Sequence, residues 1–203
     1  MPYDRIKQMK RGFTLVELLV VISIISLLSS IVLSSVTQAK IKAQNSAINS
    51  QIIQYINAIE LYRSDHGLLP DNDPVNGNGN TFTACLGKYN LVGSGKCGYS
   101  PNGNFSNILR NDILDSKLDD YISEMPPISK TLIKTDDAYP NSVWLGATYQ
   151  LNFPPLTPKA FITWVLQGSG QSCGQGTSST AGFGPHCTAG GHCTACKVDI
   201  PAS

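Results

Sequence analysis

Leu, Ile and Val dominate the chain from Phe13 to Val36, interrupted by the small hydroxyls of Ser23, Ser26, Ser29, Ser30, Ser34 and Ser35 and by one carboxylate, Glu17. A helix needs about 20 apolar residues to cross a hydrocarbon core, so this run predicts a membrane-spanning helix. After Val36 the pattern turns amphipathic. Ile41, Ile48, Ile52, Ile56 and Ile59 recur at helical spacings, with Lys40, Lys42, Gln44, Asn45, Asn49 and Gln51 between them. No Gly or Pro occurs from Phe13 through His66. One continuous helix of about 80 Å is therefore permitted. It should stop around Asp65 to Gly67, with Gly67 as a left-handed cap and Pro70 just beyond.

Beyond the helix the pattern becomes short and mixed. Asp71 to Thr81 reads as a loop, because its Asn-Gly and Asp-Pro steps favour turns. Leu109, Ile113, Leu114, Leu118 and Tyr121 predict a second helix within Ile108 to Ile122, ended by Pro126 and Pro127. Val143 to Leu151 and Ala160 to Gln167 read as two strands joined by a Pro-rich turn. A long helix followed by a small antiparallel sheet is an α+β chain. The boundaries are a leader at 1–12, an apolar helix at 13–36, an amphipathic helix at 37–66, and a head at 67–203 whose Cys-rich end is 168–203.

Charge adds an orientation. Of 15 basic and 14 acidic residues overall, residues 1–12 hold Arg5, Lys7, Lys10 and Arg11 against Asp4, which leaves 11 basic and 13 acidic side chains after them. Basic residues immediately before a membrane helix place residues 1–12 in the cytoplasm and the head outside. The mildly acidic remainder offers no clear nucleic-acid site. A cleavable secretory signal fits poorly, since its apolar core is only about 7–15 residues and lacks a carboxylate.

Six cysteines, Cys85, Cys97, Cys173, Cys187, Cys193 and Cys196, all follow the apolar run, which suits disulfides in an exported head. Cys85 and Cys97, separated by a short Gly-containing loop, are the favoured pair. In the tail, His186-Cys187-Thr188-Ala189 is echoed by His192-Cys193-Thr194-Ala195. Cys187, His192, Cys193 and Cys196, with Cys173 or His186 in reserve, form an alternative zinc set, since Cys193 and Cys196 have knuckle spacing. Outside a membrane, disulfides are the default reading.

Other motifs fail on inspection. Asp71 to Gly77 begins like a calcium loop but has Val75 where an oxygen donor belongs. Asp136 and Asp137 read as a solvated turn. Gly170 to Gly174 matches G-x-S-x-G, yet Gly- and Ser-rich chain follows and no acid precedes a histidine in the required order. No catalytic constellation and no cofactor is expected.

The stretch Lys10, Arg11, Gly12, Phe13, Thr14, Leu15, Val16, Glu17, followed by the apolar helix, resembles the class III signal of type IV pilins and type II secretion pseudopilins. The resemblance implies a membrane peptidase that cuts between Gly12 and Phe13 and methylates Phe13. It also implies that the new amine faces Glu17 of a neighbouring subunit. Glu60 to Asp71 is similar to the stretch that closes the long helix in major pseudopilins. A helix-kinking proline common in the family is replaced by Ser34, and the calcium ligands of major pseudopilins are not carried over to this Cys-rich end.

The implied fold is a ladle of spine and head. The implied role is a structural prepilin of a pilus-like filament, not an enzyme. Its implied partners are further copies of itself, minor pilins, the prepilin peptidase, a membrane assembly platform with a motor ATPase, and lipid before assembly. It would wait in the inner membrane and then enter a surface or periplasmic filament. A secretion pseudopilin is the alternative within the family, favoured less because of the missing proline and the elaborated tail. A single-pass, membrane-anchored binding module is the alternative from another class.

Overall fold

The computed structural model describes residues 12–70, 81–87, 97–99, 111–122, 133–134, 143–144, 146–152, 159–178, 187 and 193–200. The basic residues of the leader at positions 1–11, the Asp71–Gly77 motif, the Pro126-Pro127 stop, Asp136, Asp137, the Pro-rich turn at 153–158, His186 and His192 lie outside them. The chain forms two compact units, Met1–Lys40 and Ile41–Ser203. Helix α1, Leu15–His66, contributes to both.

In the first unit, α1 is exposed on all sides. Phe13, Leu15, Leu27 and Leu33 are more than 60 % exposed, and no large apolar side chain there is buried. A helix that is apolar all round fits an apolar surrounding rather than water. Four of its hydroxyls are satisfied internally: Ser23, Ser30, Ser35 and Thr37 donate to the Leu19, Leu27, Ile31 and Leu33 carbonyls at 2.7–3.1 Å. Such back-bonding lowers the cost of carrying a hydroxyl into lipid and locally loosens the helix ladder.

In the second unit, α1 buries a stripe made by Asn45, Ile48, Ile52, Tyr55, Ala58, Ile59 and Tyr62. Ile41 and Ile56, expected on this stripe, are only half-buried. The helix ends at His66, and the Gly67 amide donates to the Arg63 carbonyl at 2.8 Å with Gly67 at φ 70°. That positive φ is the conformation only glycine adopts without strain.

The stripe rests on a five-stranded antiparallel sheet. Its strands in chain order are β1 (Thr81–Leu86), β5 (Ala147–Asn152), β6 (Lys159–Gln167), β7 (Thr177–Ser178) and β8 (Cys193–Ile200), arranged β1-β5-β6-β8-β7. A second sheet pairs β2 (Gly98–Tyr99), β4 (Val143–Trp144) and β3 (Ile133–Lys134) in the order β2-β4-β3. Strand β6 explains the layering. Ala160, Ile162, Trp164 and Leu166 join the core beneath α1, while Val165 packs with Trp144 and Cys193 on the opposite face. Side chains alternate across a strand, so a strand apolar at nearly every position must be covered on both faces.

Two expectations need correction. The strand expected over Val143 to Leu151 is two elements in different sheets, because Gly146 sits at φ 122°, where the extended path breaks. The second helix, α2, runs only Asp112–Leu118. Asn111 caps its start by accepting from the Ile113 and Leu114 amides, and the Tyr121 and Ile122 amides both return to the Leu118 carbonyl. Ile113 is 43 % exposed, so Leu114 and Leu118 carry its packing. Tyr121 beyond it donates to Asp65 at 2.9 Å and meets the Tyr62 ring edge-on. Burial, with the Asp115 charge second, pushes the Tyr55 phenol above its usual range, so it stays neutral beneath α2.

Trp164 makes one site intolerant of change. A Cβ at Gly176 would stand 2.5 Å from the Trp164 ring and 2.7 Å from the Lys197 carbonyl. Gly176→Ala should therefore destabilise the head by about 1–3 kcal/mol. Urea unfolding followed by tryptophan fluorescence checks this as a lowered midpoint with an unchanged slope.

Candidate assembly site and the cysteine-rich end

Thr14 precedes the first helical residue, and Glu17 stands three positions on. The Glu17 amide donates to the Thr14 hydroxyl oxygen at 3.3 Å. In return, the Glu17 carboxylate accepts from the Thr14 amide at 3.0 Å and from the Thr14 hydroxyl at 2.7 Å, both through Oε2. This reciprocal arrangement is a capping box, which satisfies amides that a helix start otherwise leaves without partners. Its signal, Thr-x-x-Glu ahead of an apolar run, was present in the sequence and was missed.

Phe13 and Glu17 are both exposed, so the ring and the carboxylate lie open to whatever surrounds the helix start. Gly12 is informative for a different reason. No atom lies within 4 Å of where its Cβ would be, and its φ is not positive. Among the described residues, neither space nor backbone geometry requires a glycine there.

The structure joins the cysteines as Cys85–Cys97, Cys173–Cys196 and Cys187–Cys193, with no free cysteine among the described residues. Zinc is held by thiolate, so Cys187, Cys193 and Cys196 in this oxidised form are not available as its ligands. Among the described residues no group of three or more metal-binding side chains occurs. The Cys85–Cys97 and Cys173–Cys196 bridges lie in the core beneath α1, whereas Cys187–Cys193 belongs to the opposite face.

Two asparagines fasten α1 to β6 and to the chain that follows it. Asn45 pairs its amide group with the Gln167 backbone, donating to the carbonyl at 2.9 Å and accepting from the N–H at 3.0 Å, and it reaches Gln171 at 3.1 Å. One helical turn on, Asn49 donates to the Ser172 carbonyl and accepts from the Trp164 indole. The Gly170–Gly174 segment, with Ser172 at the serine position, leads into β7 and not into a helix, so it does not build a nucleophile elbow.

A family model described as the prokaryotic N-terminal methylation motif matches residues 7–33. The chain is 34 % identical over 67 residues to the type II secretion system core protein G of Klebsiella michiganensis, covering 33 % of this chain and 47 % of that protein. It is 33 % identical over 66 residues to the protein of the same name from Klebsiella pneumoniae, covering 32 % and 47 %. The chain thus spans about half the length of the curated relatives it matches. No solved structure matches.

Proposed function

We propose, on the premise that this chain belongs to the type IV pilin and pseudopilin family through its N-terminal methylation motif, that it is the structural subunit of a helical filament. The chain is made as a prepilin, cleaved between Gly12 and Phe13, and methylated on the new amine. Gly12 is the observation that carries this reading. A glycine that the described fold does not require suits an enzyme handling the peptide bond, because a missing Cβ lets the backbone enter an active site at low steric cost.

Cleavage leaves a cationic amine beside an exposed carboxylate. A charged carboxylate at membrane depth costs up to about 2.5–3.5 kcal/mol alone, and pairing with a cation removes much of that cost. The amine of an incoming subunit meets Glu17 of one already docked, so correct register is favourable and slipped register leaves two charges unpaired. The segment 13–36 spans the inner membrane first and then packs among its copies. The segment 37–66 supports the head of 67–203, which lies outside. Peptidase, assembly platform, motor ATPase and minor pilins are the partners this cycle requires.

Similarity to core protein G favours a second reading within the family, a pseudopilin of a type II secretion system. Both readings use the same helix and the same glutamate. The mass of the mature protein tests the shared step: the expected N-terminus is methyl-Phe13, and an intact leader would refute it. Filaments isolated from cells and probed for this chain then distinguish a surface pilus from a periplasmic pseudopilus.

A further inference from the structure

We propose that Lys40 and Lys42 clasp anionic lipid phosphates in the outer leaflet, and that this clasp sets the depth at which the helix waits before assembly. The proposal rests on the membrane-spanning reading above. Between Leu18 and Ile59 these two lysines are the only charged residues. Both are exposed, and neither forms an ion pair among the described residues. They follow the last residue of the apolar run, Val36, and precede Asn45, where packing onto the Gln167 backbone begins.

Lengths place them in the headgroup layer. At 1.5 Å per residue, Lys40 lies about 6 Å beyond Val36. A headgroup layer is about 5–8 Å deep on each side of a hydrocarbon core of about 30 Å. Glu17 lies about 35 Å back along the helix from Lys40. With the Lys40 ammonium at the outer phosphates, Glu17 falls within a turn of the opposite hydrocarbon boundary. The two charges thus act as end stops: the lysines prevent inward slippage, and the carboxylate stays beside cytoplasmic water until an amine meets it.

A neighbouring copy is the other conceivable partner for the lysines. An identical helix at the same depth offers no carboxylate at that height, since the nearest acids along α1 are Glu17 and Glu60. Lipid phosphate is present at that height around the whole helix. Lys40 and Lys42, two positions apart, point to different sides, which suits phosphates on separate lipids.

The test uses the full chain in vesicles of phosphatidylglycerol and phosphatidylcholine, released into mild detergent for native mass spectrometry. The wild type should retain phosphatidylglycerol in preference to phosphatidylcholine. Lys40→Ala with Lys42→Ala should reduce that preference by roughly fivefold per lysine. Lys40→Arg with Lys42→Arg should preserve it, and added inorganic phosphate should not compete. An unchanged preference in the double alanine variant overturns the clasp, as does a preference that disappears only when Arg5, Lys7, Lys10 and Arg11 are replaced. Alkaline carbonate washing separates the two ideas: a chain that washes off the vesicles refutes the membrane reading itself, whereas one that stays inserted with unaltered lipid preference refutes only the clasp.

Discussion

Glu17→Gln should insert, be processed at normal yield, and fail to build filaments. The glutamine keeps the shape and hydrogen-bonding capacity that a capping box needs, so the first turn of α1 persists through Thr14. Only the charge is lost. An amine without its carboxylate partner in an apolar filament core costs about 3–5 kcal/mol, which is more than about a hundredfold in docking. Thr14→Val makes the reverse separation, since it breaks the hydroxyl contacts and keeps the charge, and it should reduce assembly only severalfold. Filament yield per mature subunit, measured from sheared and pelleted material, decides between the roles. Normal filaments from Glu17→Gln would show that Glu17 serves as a cap alone.

Replacing Cys173 and Cys196 together by alanine should be the most damaging disulfide change. Removing a native bridge from a small exported domain costs about 2–5 kcal/mol, against a total stability of about 5–15 kcal/mol. Cys173 and Cys196 are 23 positions apart, against 6 for Cys187 and Cys193. The longer loop gives the larger chain-entropy effect, by about 1 kcal/mol. The Cys173–Cys196 bridge also lies in the main core, next to the segment that Asn45 and Asn49 hold. Thermal unfolding of the three double-alanine variants should therefore rank Cys173/Cys196 below Cys187/Cys193. Reductant should lower the wild-type midpoint, whereas a chelator should leave it unmoved. A shift with chelator would restore a metal to the tail.

The long helix was readable because its signals are local: an unbroken run without Gly or Pro, a change of periodicity after Val36, and a glycine stop at Gly67. The glutamate was readable as an anomaly, although its local hydrogen bonds with Thr14 were overlooked. The sheet was harder. Strand β6 declared itself through density of apolar residues, but β8 did not. Cys193, Lys197 and Asp199 interrupt its alternation, and what makes Cys193–Ile200 a strand is pairing with β6, with Trp164 opposite Cys196. Strands β1, β2, β3 and β7 likewise went unread, since three of them are two residues long and owe their form to a partner. The disulfide pairing depends on that long-range register, which spacing does not encode. Asn45 was read as part of a polar face, yet the Gln167 backbone draws it into the interior. The break at Gly146 did carry a signal, a glycine inside a strand pattern, that deserved more weight.

Strand β8 follows every other described strand in chain order, yet it lies inside the five-stranded sheet, between β6 and β7. A ribosome that stops early, or a chain clipped before residue 193, leaves β6 with an open edge and Cys173 without a mate. Such a fragment still has the whole of α1 and Glu17, so its apolar helix is unaffected. What it lacks is a closed head: an open strand edge is a template for pairing with another chain, and a lone thiol is free for disulfide exchange. Placing β8 in an interior position therefore makes closure of the head depend on residues that come after every other described strand.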